Sequence, residues 1–350
     1  MEILQINLEK GWRGGERQTL LTACAQRDLG HNVELVCRAG AELSLKAREA
    51  GLTVHHARNA VSLASWLAFN GARFDVLHAQ TAGSVTGTVL SKPFHRRPIV
   101  FSRRTEFPVA TGQFLTRLKW QCVDQLVAIS QAAASEPRRF GLTPVIIPSA
   151  TPPITPDTAR IHALISKNNL DDKRLIGTSA ALTAEKDPLT LIQAAARVCQ
   201  NHSDVVFIHW GADGTSSEAS RALIATLGLE KNYLLLGFQQ NPEQLYPVLS
   251  GFVLCSTFEA LGSSLLDAMS LGIPVIGTNT GGIKEVLAEG RGRLAGVGDA
   301  EAIAQHIEWV LSHPESAKEM AVIARHYVKT EHDVMSMAQK YISLYAGLCC

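Results

Sequence analysis

The sequence predicts an α/β protein built from two doubly wound domains in tandem. Three observations lead there. Short β-branched runs alternate with helical stretches along nearly the whole chain, the rhythm of a parallel sheet covered on both faces. That rhythm breaks at residues 148–156, where four prolines in nine residues can continue neither a helix nor a central strand. The 350 residues, 46% hydrophobic and 19% charged, suffice for two cores at roughly 100–200 residues per domain, and they exclude a disordered chain.

In the first half, a strand over Ile3–Leu8 runs into a Gly-rich turn at Gly11–Gly15. A helix over 16–29 follows and stops at Gly30. Further strands are expected at Val33–Cys37, Thr53–Ala57, Val76–Ala79, Ile99–Ser102, Leu126–Ile129 and Val145–Ile147. Beyond the proline break the strands are Leu175–Ala180, Val205–His209, Tyr233–Leu236, Phe252–Cys255 and Pro274–Gly277. Helices are expected over 187–200, 216–227, 241–249, 264–271, 299–312, 315–328 and 333–347. The domains are accordingly 1–150 and 151–328, with 329–350 as a terminal helical segment. Such domains bind ligands at strand ends and helix N-termini facing a cleft.

The formal net charge of +1 hides an asymmetry. Residues 1–150 carry 18 Lys and Arg against 11 Asp and Glu, whereas the remainder carries 15 against 21. A basic first half suits an anionic partner, and drift between two solvated faces gives the same numbers. Charge is not grouped with aromatics as nucleic-acid binders group it, so no nucleic-acid partner is expected. No apolar run approaches the ~20 residues that cross a bilayer. Residues 1–5 lack a signal peptide's basic segment and apolar run, and seven scattered cysteines make no Cys-x-x-Cys. A cytoplasmic, disulfide-free protein is the expectation. Cys349 and Cys350 read as a frayed tail.

The chemistry concentrates in Ser256–Val275, which reads strand, loop, helix, Gly stop, Pro, strand. Glu259 lies on the loop and Asp267 about one turn into the helix. Between them Gly262 permits close backbone approach, and the helix start at Ser263 and Ser264 offers free N–H groups to a phosphate or sugar hydroxyls. Two carboxylates flanking such donors suit a polyol, although Asp267 could equally offset the helix dipole.

This segment resembles the donor-site signature of the retaining glycosyltransferases of family four, which have the GT-B fold of two Rossmann-like domains facing a central cleft. Glu259, seven residues and Asp267 are followed by Ala268-Met269, Gly272 and Pro274-Val275. Thr278–Val286 resembles the family's next loop, T-x-x-G-G-x-x-E-V. Weaker likeness extends over the whole chain: Gly14-Gly15-Glu16, Ala128–Ser130, Val145–Ala150, Gly211–Gly214, Leu236–Phe238, and a last helix with Tyr341 and Tyr345 that in the family crosses back to the first domain.

The resemblance implies a transferase moving a sugar from a nucleotide-sugar donor, a substrate and not a cofactor, to a glycan or lipid-linked acceptor of cell-surface or lipopolysaccharide synthesis, with retention. Glu259 and Lys186 are the implied catalytic residues. Gly14, Gly15, Gly211, Gly237, Gly262, Ser263, Ser264 and Asp267 are the implied donor-binding ones, and Glu16, His78, Arg103 and Arg104 stand on the acceptor side. No Asp-x-Asp occurs, so no catalytic metal is expected. The chain also departs from the pattern. Asp267 replaces a Glu, and the family's clamp arginine falls at Ala181, so Arg103 or Arg104 is the candidate replacement for that charge.

Other readings stay open residue by residue. Lys186 also reads as an exposed lysine, Glu259 as a solvated loop acid and His78 as a core histidine. The stretch Phe114–Trp120, with apolar residues on one helical face and basic neighbours, suits an anionic membrane surface or an ordinary surface helix. A nucleotide-sugar epimerase or hydrolase, and a non-catalytic donor-binding subunit, are the competing functions.

Overall fold

The structure, a computed structural model, describes residues 1–349. The chain divides into two units, Met1–Pro152 with Glu331–Cys350 (its last residue outside the described range), and Pro153–Thr330.

The first unit holds a seven-stranded, all-parallel sheet of β1 (Glu2–Asn7), β2 (Asn32–Cys37), β3 (Thr53–His56), β4 (Val76–Ala79), β5 (Ile99–Arg103), β6 (Gln125–Ala128) and β7 (Val145–Ile146). The order is β3-β2-β1-β4-β5-β6-β7, so the winding reverses between β1 and β4. Its helices are α1 (Gly14–Asp28), α2 (Glu42–Glu49), α3 (Ala60–Asn70), α4 (Ala82–His95), α5 (Gln113–Gln121) and α6 (Gln131–Arg139). The central strand β1 is buried from Ile3 to Asn7, as a strand covered on both faces must be.

The second unit repeats the plan. Its helices are α7 (Thr158–Asn168), α8 (Pro188–Asn201), α9 (Ser217–Thr226), α10 (Ser263–Ser270), α11 (Gly281–Leu287), α12 (Ala300–Ser312) and α13 (Pro314–Glu331). The strands are β8 (Arg174–Ser179), β9 (Val205–Trp210), β10 (Tyr233–Leu235), β11 (Leu249–Leu254), β12 (Val275–Thr278) and β13 (Arg293–Ala295), in the order β10-β9-β8-β11-β12-β13. Here the winding reverses between β8 and β11. Ile176, Phe207, Val253 and Ile276 from the sheet pack with Ile192, Val198, Ile303 and Ile307 from α8 and α12 to form the core.

The last helix, α14 (Val334–Cys349), belongs to the first unit, where Tyr341 and Tyr345 are buried beside Ile3, Val33 and Val100. Cys349 is therefore helical, its thiol 3.5 Å from the carbonyl oxygen of Asp75, and is not a frayed residue. The companion Cys350 lies outside the described residues.

Several elements differ from expectation for identifiable reasons. The helix expected over 241–249 is a 3₁₀ helix, Pro242–Val248, because Pro247 inside it has no N–H to give an α-helical bond. The first helix starts at Gly14, so the two glycines are its first turn and not part of the preceding loop. Arg293–Ala295 is a three-residue edge strand, too short to show a period.

Candidate functional site

In doubly wound sheets ligands bind beyond the carboxyl ends of the strands where the winding reverses. In the second unit that point lies between β8 and β11. The loop after β8 carries Lys186 in a 3₁₀ turn, and the loop after β11 carries Glu259. Their side chains form an ion pair, Lys186 Nζ to Glu259 Oε2, across 73 residues of sequence. Lys186 ends that turn directly before α8, which Asp187 (φ +45°) caps, its carboxylate accepting from the Thr190 N–H and hydroxyl. The two loops are tied by Thr257 N donating to Glu185 O at 2.8 Å. The start of α11 joins them, with Gly282 N donating to Glu259 O at 2.7 Å.

Glycine is required here for two separate reasons. Gly262 opens α10 at φ +85°, where a side chain is strained. A Cβ on Gly282 would sit 2.3 Å from the Ala260 oxygen, so only glycine lets the start of α11 close on the Glu259 loop. Helix α10 then begins without a side-chain cap. Its carbonyl at Gly262 accepts from Leu265 and Leu266, while the amides of Ser263 and Ser264 make no bond among the described residues. They can donate to an anion, beside an ammonium and a carboxylate. Asp267 lies one turn further in, 4% exposed.

A cavity of about 340 Å³ opens at the ends of β9 and β10 in the same unit, lined in part by His209, Gly211, Asp213, Arg221, Gly237 and Phe238. Gly211 and Gly237 are thus brought together, Gly211 N donating to Gly237 O at 2.9 Å. His209 is fixed in one tautomer. Its Nε2–H donates to the Ala180 carbonyl at 2.9 Å, so Nδ1 accepts from the Tyr233 hydroxyl at 2.9 Å. Burial takes its pKa down to about 4, which keeps the ring neutral. Arg221 pairs with Asp213 at 2.7 Å on the cavity rim. The sequence reading passed over Arg221 because α9 carries it 11 residues beyond β9, outside any motif.

The first unit places its candidates differently. Gly14 and Gly15 form the first turn of α1, and a Cβ on Gly15 would meet nothing within 4 Å. Glu16 is buried, accepts from Arg13 N at 2.9 Å, and has its pKa raised by desolvation. Arg103 turns inward: it is 5% exposed, donates to Phe107 O at 2.6 Å and lies 5.0 Å from the Trp120 ring. His78 is fully buried, and desolvation holds it neutral. It is a core histidine, partnered on both ring nitrogens.

Arg104, at the end of β5, behaves otherwise. It is half-buried, and burial lowers its pKa. Its Nε and Nη2 donate to Gln80 Oε1 at 3.1 and 2.9 Å, and Nη1 donates to Ser149 Oγ at 2.9 Å. From there the bonds run in one direction. Gln80 donates to Gln5, Gln5 to Gln26 (both 2.8 Å) and Gln26 to Tyr345 Oη (3.2 Å). The Tyr345 hydroxyl then donates to His78 Nδ1 at 2.5 Å, and His78 Nε2 to Ser102 Oγ at 2.8 Å. Gln80, Gln5, Gln26, Tyr345, His78 and Ser102 are all buried.

Helix α5 is anchored by Trp120, 3% exposed against Phe101 and Phe140. Its Phe114 and Leu115 are more than 70% exposed and Leu118 is 44% exposed. Among the described residues no group of three His, Cys, Asp or Glu could hold a metal ion, and no helix is long and apolar enough to cross a membrane. All six described cysteines are free.

Two family models match the chain. "Glycosyl transferases group 1" covers residues 161–327 and "Glycosyltransferase Family 4" covers 12–153. Among curated proteins, the N-acetyl-alpha-D-glucosaminyl L-malate synthase of Bacillus anthracis is 34% identical over 124 residues, 35% of this chain and 32% of that protein. The lipopolysaccharide core biosynthesis glycosyltransferase LpsE of Rhizobium meliloti is 25% identical over 194 residues, 54% of this chain and 55% of that one. The first three curated relatives are matched over no more than 32% of their own length. Anabaena Alr3699/HepE, solved with UDP and glucose, superposes with a TM-score of 0.88 at 20% identity, covering 99% of this chain and 100% of that one. The lipopolysaccharide outer core galactosyltransferase WaaB, in its apo form, gives 0.70 at 17%, again covering 99% and 100%. At these identities the structural likeness is one of fold.

Proposed function

Because this chain belongs to the family-four glycosyltransferases of the GT-B fold, we propose that it moves a sugar from a nucleotide-sugar donor to a glycan or lipid-linked acceptor in cell-surface or lipopolysaccharide synthesis. The observation that carries this is the pairing of Lys186 and Glu259 at the β8/β11 reversal, beside the open amides of Ser263 and Ser264.

A donor diphosphate placed on those amides takes Lys186 as its counter-charge, and Glu259 is released to accept from sugar hydroxyls. As the glycosidic bond breaks, negative charge grows on the leaving diphosphate. Fixed N–H groups and the ammonium stabilise that charge without reorganising, which is where the rate gain arises. Asp267 takes the ribose hydroxyls. The base enters the cavity against Phe238, which Gly211 and Gly237 also line. With retention of configuration, a donor phosphate oxygen accepts the proton of the attacking hydroxyl. The reaction so drawn uses no metal. Because HepE is described with UDP and UDP-glucose, a UDP-sugar is the donor to test first. The exposed Phe114, Leu115 and Leu118, with Arg117 on the same helix, support peripheral attachment to an anionic membrane surface on the cytoplasmic side.

One departure favours a second reading. The clamp arginine position is Ala181, so a chain that binds donor but does not transfer is the alternative. Titration calorimetry with UDP and UDP-sugars, followed by UDP release with and without acceptor glycans, separates the two. We expect saturable binding and acceptor-dependent release. Lys186→Ala and Glu259→Gln should slow release by roughly 10²-fold or more while the fold is kept. Wild-type rates in both variants would remove the site from the mechanism.

A further inference from the structure

We propose that Arg104, held by Gln80 and Ser149, forms a binding site for an anionic group, a carboxylate or phosphate carried by the acceptor. The assignment rests on the acceptor half of the reading above and adds the class of acceptor.

A half-buried guanidinium ordinarily has a carboxylate beside it. Among the described residues Arg104 has none within bonding distance: its partners are an amide oxygen and a hydroxyl. Glu16 acts on it only through space, and that carboxyl is itself drawn toward its neutral form by burial. What stabilises the cation is the one-way series of buried dipoles. Along it each amide from Gln80 to Gln26 accepts on its oxygen from the member nearer Arg104 in the series and donates its N–H to the next. Aligned dipoles solvate a charge without neutralising it, so the positive charge remains to be matched from outside.

Its position matches that need. Gln80 directly follows β4 and Arg104 directly follows β5, so both lie at the carboxyl ends of the strands, at or beside the β1/β4 reversal. Ser149 lies in the loop after β7, and that loop is fixed from two sides. Gln18 both donates to and accepts from the backbone of Ala150, and His332 Nδ1 donates to Ser149 O at 2.7 Å. The guanidinium uses three of its five N–H groups. The remaining two, one on each Nη, suit the two oxygens of a planar carboxylate or of a phosphate face.

The test is calorimetry on the full chain with inorganic phosphate and with malonate, each with and without saturating UDP. The variants are Arg104→Met and Arg104→Lys, with Arg138→Met on the exposed face of α6 as the control. We expect saturable binding of at least one anion whether or not UDP is present. Arg104→Met should weaken it roughly tenfold or more, and Arg104→Lys by less, because the charge survives but the fork does not. Arg138→Met should leave it unchanged. UDP affinity should be unchanged in all three. Anion binding that survives Arg104→Met, or is absent from the wild type, overturns the proposal. So does a parallel loss of UDP affinity, which would assign the charge to the donor. A wild type that binds the anion but no UDP would instead end the transferase reading and leave the anion site standing. If Arg104→Met does not fold, checked by circular dichroism, the Arg104→Lys comparison decides.

Discussion

The two units share a topology and differ in how they present charge at the reversal of the sheet. In the second, an ammonium and a carboxylate neutralise each other beside two open helix amides. In the first, a single guanidinium is held by neutral dipoles. The second is shaped largely by backbone: loops laced by N–H···O bonds, with glycines where a Cβ would collide. The first is shaped by side chains, a buried series of amides, tyrosine and histidine. A common fold therefore does not dictate a common ligand; the residues at the strand ends do.

The largest effect that can break this contrast is acid. His209 in the second unit is neutral in the fold, with a pKa near 4 against 6.5 when exposed. A depressed value means the neutral ring's contribution is complete above pH 6.5 and lost as pH falls through 4. At about 1.4 kcal/mol per unit, roughly 3 kcal/mol is at stake. Thermal midpoints should fall from pH 7 to 4.5, and His209→Gln, which keeps one donor and one acceptor, should flatten the fall. An equal slope in the variant would refute the assignment.

Next come the glycines. Gly282→Ala forces a methyl against the Ala260–Leu261 backbone and should cost about 1–3 kcal/mol, with a matching drop in the unfolding midpoint. Gly15→Ala in the first unit meets open space within α1 and should leave stability unchanged or raise it by about 0.5–1 kcal/mol. If both variants behave alike, the claim that only the second site is built from close backbone approach is wrong.

A cost below that of Gly282→Ala tests the side-chain network. Tyr345→Phe deletes the hydroxyl that links Gln26 to His78 and should cost about 1–2 kcal/mol in chemical denaturation. A cost near zero would mean that the series is not continuous.

Much of this was legible in the sequence. Val76–Ala79 is the strand expected, and Ser256–Ser270 forms the loop and helix expected, although the strand that leads into it, Leu249–Leu254, ends before Ser256; β periodicity, a Gly stop and a following Pro are local signals. Other features were not. Arg103 and Arg104 are adjacent and identical in type, yet one packs on Trp120 and the other faces Gln80. His78 sits at a strand end, as a ligand would, but Tyr345 and Ser102 close over it. Strand alternation gives opposite faces to neighbours without saying what covers each face.

By itself the sequence determined the kind and order of most elements, the proline break between two units and the loop that carries Glu259, since propensity, turn chemistry and chain stiffness act over a few residues. Only the tertiary structure decided which distant groups meet. Lys186 reaches Glu259 across 73 residues, and Tyr345 reaches His78 across 267. Strand order sets those meetings, and the direction of each hydrogen bond is fixed only when all of its neighbours are in place.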